Sequence, residues 1–251
     1  MNYPNQVEFL VHGRYALFSD PITRVGGEKS TYQLPTYQAL KGIMESIYWK
    51  PTIIWVIDRV RVMKPILTES KHIRPINFST PGNTLSIYSY LSEPAYQVQA
   101  HFIFNENRPE FAHDRNEDKH FQIAKRMIAR GGRRDIFLGT RECQAYVEPC
   151  KFGRGEGYYD HAGPMTFGLM FHGFDYPDET GREMLAVRFW RPVMDKGIVE
   201  FPKPWECDRK LCRDIRPMRK KEFHDFSGLN EPTLQKLLEE VEADELGEPV
   251  D

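Results

Sequence analysis

Two runs of residues leave this chain few folding options. Thr52 to Lys64 (TIIWVIDRVRVMK) is crowded with β-branched side chains and alternates apolar with polar in its second half, and Ala95 to Phe104 (AYQVQAHFIF) alternates again. β-Branched side chains fit a pleated surface better than a helix, and alternation gives a strand one face to bury, so both runs predict strands of a covered sheet. Val7 to Phe18 (VEFLVHGRYALF) and Cys143 to Phe152 supply two further strands of the same kind. Between them the period changes. Thr36 is placed as an N-cap before Leu40, Ile43, Met44 and Ile47 at helical spacing, and Lys50-Pro51 stops that segment. Phe121, Ala124 and Ile128 share one face of a second helix over Asp118 to Arg130, closed by Gly131-Gly132.

The order strand, helix, strand, strand, helix, strand is the split βαβ, or ferredoxin-like, arrangement that also underlies RNA-recognition modules. Leu85 to Leu91 is apolar but sits in a long irregular stretch between the two central strands. Beyond the Gly-rich segment Phe152 to Asp160, three strands are predicted: Met165 to Tyr176, Glu183 to Val193 after the turn Pro177 to Gly181, and Ile198 to Phe201 after Asp195-Lys196-Gly197. Glu231 to Leu246 carries Leu234, Leu237, Leu238 and Val241 on one helical face. The expected class is therefore α+β: a ferredoxin-like lobe over 1–153, a small antiparallel β lobe over 154–221, and an acidic tail with an amphipathic helix over 222–251.

The formal charge of −2 conceals an asymmetry. The last 30 residues hold ten acids against the single base Lys236, a net −9, which leaves 33 bases against 26 acids, a net +7, in residues 1–221. Bases concentrate between Lys125 and Arg154 and again between Lys203 and Lys221, the footprint expected of a surface that meets a phosphate backbone, although charge alone fits an ordinary solvated face equally well. The segments Arg130 to Arg134 and Phe152 to Tyr158 mix glycine with arginine, which lets main-chain N–H groups approach a phosphate as readily as it makes a turn. No apolar run approaches the roughly 20 residues that span a bilayer, and Met1 to Gly13 lacks a basic stretch before an apolar one, so a cytoplasmic protein is expected.

G-x-S-x-G, G-x4-G-K-[ST] and H-E-x-x-H are all absent. The cysteine spacings Cys143-x6-Cys150 and Cys207-x4-Cys212 are not those of the common zinc half-sites, and no cofactor or metal is called for. The densest reactive pair is Lys119-His120 at the start of the second helix, where free N–H groups and the helix dipole favour a phosphate. RNA cleavage by a ribose 2′-hydroxyl needs a base, an acid and a cation, and His beside Lys supplies them near neutrality; a solvent-facing dipeptide at a helix start is the bland alternative. Tyr48, just past the last apolar residue of the first helix, is the other candidate and is expected to be exposed.

Glu28 to Ile43 and Ser46 to Pro51 resemble the N-terminal signature of the CRISPR-associated Cas "five" family of the RAMP superfamily, and Gly132 to Cys143 with Phe167 to Tyr176 resemble its type I-C branch. The resemblance implies a metal-independent endoribonuclease that cuts CRISPR repeat RNA (pre-crRNA) and leaves a 2′,3′-cyclic phosphate. It further implies that the protein stays on the 5′ handle of the crRNA inside the interference complex, Cascade, beside the backbone and large subunits, meeting target DNA through that complex. Its catalytic group of a Tyr and an adjacent Lys-His falls on Tyr48, Lys119 and His120. Branches that only hold the handle supply the alternative, a non-cleaving assembly subunit. Arg24, Lys29, Arg133, Arg134, Arg141 and Arg154 are the candidate phosphate contacts.

Overall fold

The computed structural model describes residues 3–21, 23, 27–74, 76 and 85–222. Contacts divide the chain into a body, residues 1–219, and a C-terminal unit, residues 220–251. The expected tail helix over 231–246 and the candidate Arg24 lie outside the described residues.

The body is a mixed α/β fold with antiparallel sheets. Its strands run β1 (Val7–Gly13), β2 (Tyr15–Ala16), β3 (Ile53–Val62), β4 (Thr68–Ile73), β5 (Ser86–Ser92), β6 (Ala95–Phe104), β7 (Ile136–Phe137), β8 (Gln144–Pro149), β9 (Met165–Thr166), β10 (Met170–Asp175), β11 (Met184–Trp190), β12 (Val193–Asp195), β13 (Ile198–Glu200) and β14 (Cys212–Pro217). Two helices of useful length, α1 (Tyr37–Ile47) and α2 (Glu117–Ala129), are joined by the single-turn α3 (Pro177–Thr180). The main sheet has the order β7-β8-β1-β6-β3-β13-β12-β9, and two three-stranded sheets, β10-β11-β14 and β2-β5-β4, stand apart from it.

Local chemistry explains the helix limits. Thr36 Oγ1 accepts from the Ala39 N–H at 3.1 Å and starts α1, while Tyr48 leaves it in an extended conformation. Asn116 caps α2 by accepting from the Lys119 N–H at 3.0 Å. At the other end Gly131, at φ +83°, lets the chain turn back so that the Gly132 N–H reaches the Met127 carbonyl. Leu40, Ile43, Met44 and Ile47 of α1 and Ala124 and Ile128 of α2 are buried in the same core as Phe9, Val11, Val98, Ala100 and Phe102 of the sheet. Because strand side chains alternate, Gln97, Gln99 and His101 of β6 point to the opposite face of that sheet, and they too are buried.

Three sequence expectations change. Leu85 to Leu91 is not irregular: β5 pairs with β4 from Thr68↔Leu91 to Ile73↔Ser86, and β4 (TESKHI) escapes detection because it is largely exposed and has no apolar period. Met165 to Tyr176 is two strands, β9 and β10, which lie in different sheets. Ile198 to Glu200 does not complete the small sheet but pairs with Arg61 to Arg59 on the outer edge of β3, whose N–H and C=O groups otherwise lack partners; β14 takes the vacant place beside β11.

Candidate active site

Tyr48, Lys119 and His120 are 71 and 72 residues apart in sequence and meet where α1 ends and α2 begins. Tyr48 is held by its own N–H, which donates to the Met44 carbonyl at 2.8 Å, and by its carbonyl, which accepts from Trp55 Nε1 at 2.7 Å. Its hydroxyl lies 2.8 Å from His120 Nδ1. The other imidazole nitrogen, Nε2, is 2.8 Å from the Asp114 carbonyl oxygen. A carbonyl only accepts, so Nε2 carries a hydrogen, and in the tautomer with that hydrogen alone Nδ1 is the acceptor for the Tyr48 O–H. Phe102 and Phe104 meet the imidazole edge-on, with centroids 6.0 and 6.3 Å away.

Asp114, at the end of the 3₁₀ turn Pro109–Asp114, organises the rest. Its carboxylate accepts from Lys119 Nζ through Oδ1 and from Thr52 Oγ1 at 2.9 Å through Oδ2, and Oδ2 stands 3.6 Å from His120 Nε2. Burial opposes the charged carboxylate, but the hydrogen bonds from Lys119 and Thr52 and the nearby cations outweigh it, so its pKa lies below the ordinary carboxylate value. Tyr48 goes the other way. Burial above all, then the negative charge of Asp114, push its phenol up to about 12, with Arg133 opposing.

Burial corrects one expectation. Tyr48 is only 4% exposed and His120 is fully buried; α1 continues packing through its C-cap because Trp55 and the sheet close over Tyr48. Only Lys119, with its side chain 51% exposed, faces solvent freely. The arrangement is a buried Tyr48–His120 hydrogen bond anchored by the Asp114 carbonyl, in which a proton can pass between phenol and imidazole, with one half-exposed cation at its side.

The expected phosphate contacts do not form one patch. The N–H groups of Arg133 and Arg134 both donate to the Ser46 carbonyl, at 3.3 and 3.1 Å, which fixes these exposed arginines against the last turn of α1, beside Tyr48. Arg141 lies over the Phe137 ring at 5.5 Å. Lys29 belongs to the β2-β5-β4 region, where its carbonyl accepts from Ser89, and Arg154 to the opposite face of the main sheet, where its carbonyl accepts from Gln97. Much of the Gly-rich segment is a structural loop: buried Arg61 reaches the Gly155 carbonyl and Asp160. Asp114 and Thr52 were not singled out from sequence; the one available signal was an acid six residues before His120, across a turn that the sequence pattern does not reveal.

No helix among the described residues is long and apolar enough to cross a membrane. Fold and site thus define an α/β protein with a buried, hydrogen-bonded Tyr–His pair beside exposed arginines. The family model of CRISPR-associated protein Cas5, in its Cas5d form, matches residues 7–202, and the chain belongs to that family. A protein of Mannheimia succiniciproducens named CRISPR pre-crRNA endoribonuclease Cas5d is 25% identical over 236 residues, covering 79% of this chain and 95% of the relative. One of the same name from Thermus thermophilus is 28% identical over 176 residues, covering 64% and 72%. Among solved structures, a CRISPR-associated protein superposes with a TM-score of 0.67 at 33% identity, and a functionally uncharacterized protein from Streptococcus mutans with 0.65 at 36%, each covering 83% of this chain and 96% of the other.

Proposed function

We propose that this protein is an endoribonuclease that cleaves CRISPR repeat RNA and then remains on the 5′ handle of the product as a subunit of a type I-C interference complex. The observation that carries the reading is the Asp114–His120–Tyr48 chain with Lys119 beside it, in a member of a family whose named relatives are pre-crRNA endoribonucleases. The order β8-β1-β6-β3, with α1 following the β1 region and α2 following β6, supports a ferredoxin-like lobe within the body.

On this reading each residue has a distinct task. With its pKa at about 12, Tyr48 is a phenol and not a phenolate at neutral pH, so it acts by passing a proton on. The ribose 2′-hydroxyl gives its proton to the Tyr48 oxygen as the Tyr48 proton moves to His120 Nδ1. The imidazolium so formed is held by the Asp114 carbonyl and the nearby carboxylate, the same logic by which a third group orients a catalytic histidine elsewhere. The 2′-oxygen bonds to phosphorus, the bond to the 5′-oxygen breaks, and the Lys119 ammonium offsets the charge on the phosphorane and on the departing oxygen, which takes a proton from water to become a 5′-hydroxyl while the imidazolium returns its proton through Tyr48 to solvent. The proton transfers and the cation together require no metal. Dispersed bases, Arg133 and Arg134 among them, hold the strand and keep the handle bound.

The test is a repeat RNA with a single 2′-deoxy nucleotide at the cut site, incubated with EDTA beside the all-ribose RNA. The all-ribose RNA should be cut to a 2′,3′-cyclic phosphate and the deoxy RNA should survive; cleavage of both, or of neither in EDTA, refutes the mechanism. The burial of Tyr48 and His120 favours the second reading, a handle-binding and assembly subunit that does not cut. His120→Ala separates the two: the first predicts lost cleavage with retained RNA affinity, the second no change in guide maturation.

A further inference from the structure

The face of the main sheet turned away from α1 and α2 carries an unusual line of polar side chains. Pairing registers place Glu200 of β13 opposite Arg59 of β3, Arg59 opposite Gln99 of β6, and Gln99 opposite Glu8 of β1, so four neighbouring strands each contribute one polar residue to a single row. Arg59 follows a β-bulge, the register shift between Ile57 and Arg59, a feature that re-aims side chains.

The row is half satisfied. Arg59 Nε donates to Gln99 Oε1 at 2.6 Å, and Gln99 Nε2 donates to Glu8 Oε1 at 2.8 Å. The bond to Gln99 and the Phe152 ring, 4.5 Å from Arg59 Cζ, hold the guanidinium in place. The terminal nitrogens of Arg59 and the carboxylate of Glu200 have no partner among the described residues, although the two residues face each other across adjacent strands. The neighbouring acid is not in the same position: Asp58 accepts from Gln6 at 3.1 Å and pairs with His101 at 2.9 Å.

Both unpartnered groups line a cleft of ≈210 Å³, together with Tyr3, Asp58, Gln99, Phe201 and Lys203. That is below the roughly 300 Å³ at which sites for drug-sized ligands begin, and it suits one planar ring system. Tyr3 is braced by stacking on His101, with centroids 3.7 Å apart. Lys203 Nζ stands 5.8 Å from both the Tyr3 ring and the Trp205 ring, and Trp205 is 60% exposed.

From this juxtaposition we infer that the cleft binds a single unstacked guanine base. A carboxylate accepts two hydrogen bonds side by side, and guanine is the one common base with two adjacent donors, N1–H and the N2 amino group. A guanidinium fork matches the adjacent acceptors O6 and N7 on guanine's other edge. The aromatic side chains supply stacking, as aromatics on the open face of a four-stranded sheet do for splayed RNA bases. Lys203, which pairs with Glu206 at 3.4 Å, adds a cation to the same cleft. The base has two sources, a nucleotide within an RNA strand or free GMP; only the first rests on the RNA reading above.

The experiment measures equilibrium binding of the full chain to octauridylates carrying one guanosine, one adenosine or one inosine, with Glu200→Gln as the variant. Guanosine should be favoured over adenosine by about ten-fold or more, the discrimination of one good bidentate contact. Inosine lacks the N2 amino group and should lose most of that preference, and Glu200→Gln should bring guanosine and inosine to near parity. Glu200 is exposed at a strand end, so the variant should fold, with a urea midpoint matching that of the unsubstituted protein. Competition by free GMP assigns the site to a nucleotide; retained preference without competition assigns it to a base in a strand. Equal binding of guanosine and adenosine, or a guanosine-to-inosine ratio that Glu200→Gln leaves unchanged, overturns the inference. Failure of the unsubstituted protein to cut repeat RNA, with these ratios as expected, would instead count against the ribonuclease reading alone.

Discussion

Tyr48→Phe removes one oxygen from the buried end of α1 and separates structure from chemistry more cleanly than any other substitution here. The ring keeps its volume and its packing, so no cavity of consequence forms. What is lost is the 2.8 Å hydrogen bond to His120 Nδ1, in a place where His120 is fully buried and no water can easily replace it. Leaving a buried acceptor unpaired costs about 1–3 kcal/mol, and the urea midpoint should fall by that amount divided by the m-value, with m unchanged. The effect on cleavage should be larger. If the phenol relays the 2′-hydroxyl proton to His120, its removal takes away positioned proton transfer, which contributes typically 10²–10⁴-fold, or about 3–5 kcal/mol of barrier. Single-turnover cleavage of labelled repeat RNA at saturating enzyme reads the chemical step, and gel-shift affinity on 2′-deoxy RNA reads binding. The expected pattern is cleavage down at least 100-fold, affinity within about three-fold, and a modest loss of stability. Cleavage that falls only in proportion to the folded fraction would refute the relay and leave Tyr48–His120 as a structural pair.

Further outcomes follow from the same geometry. Because the Tyr48 phenol is pushed up to about 12, the cleavage rate should show no rise with an apparent pKa near 10; a rate that climbs between pH 9 and 10.5 would mean that a phenolate is the base. Asp114 has a folded pKa below its ordinary value, so it stabilises the protein above the carboxylate range and loses that contribution as pH falls through its folded pKa. The stability gap between wild type and Asp114→Asn, from urea melts, should therefore be constant from neutral pH to about 5 and close below about 4. Lys119→Ala removes a half-exposed ion pair and should cost no more than ~1 kcal/mol of stability, yet slow cleavage well beyond that; equal small effects on both would deny the cation a role in the reaction. Deleting residues 222–251 removes nine net negative charges, and non-specific RNA affinity at low salt should rise with a steeper salt dependence; unchanged affinity would place the tail's charge away from the RNA.

Several elements were legible because their causes are local. Thr36 and Asn116 cap helices through hydrogen bonds within three residues, Gly131 ends α2 through its own dihedral freedom, and β3 and β6 announce themselves by β-branching and alternation. Strand partnership was less legible. β13 is three residues long and nothing in Ile198-Val199-Glu200 states that its partner is β3, 139 positions away at Val60↔Val199, and not the adjacent β11.

The sequence by itself determined the two main helices and the strands β1, β3, β6 and β8, the division of charge between a basic body and an acidic tail, and, through its motifs, the family. It also put Lys119-His120 at a helix start. Only the tertiary structure decided that Tyr48 is buried, that its hydroxyl lies on His120, that Asp114 holds Lys119 and the imidazole together, and that Glu200 and Arg59 share one cleft. The physical reason is range. Caps, turns and periodicity act over a few residues and are written in neighbouring letters, whereas burial, pKa and hydrogen-bond partnership depend on which distant strands and helices close over a side chain.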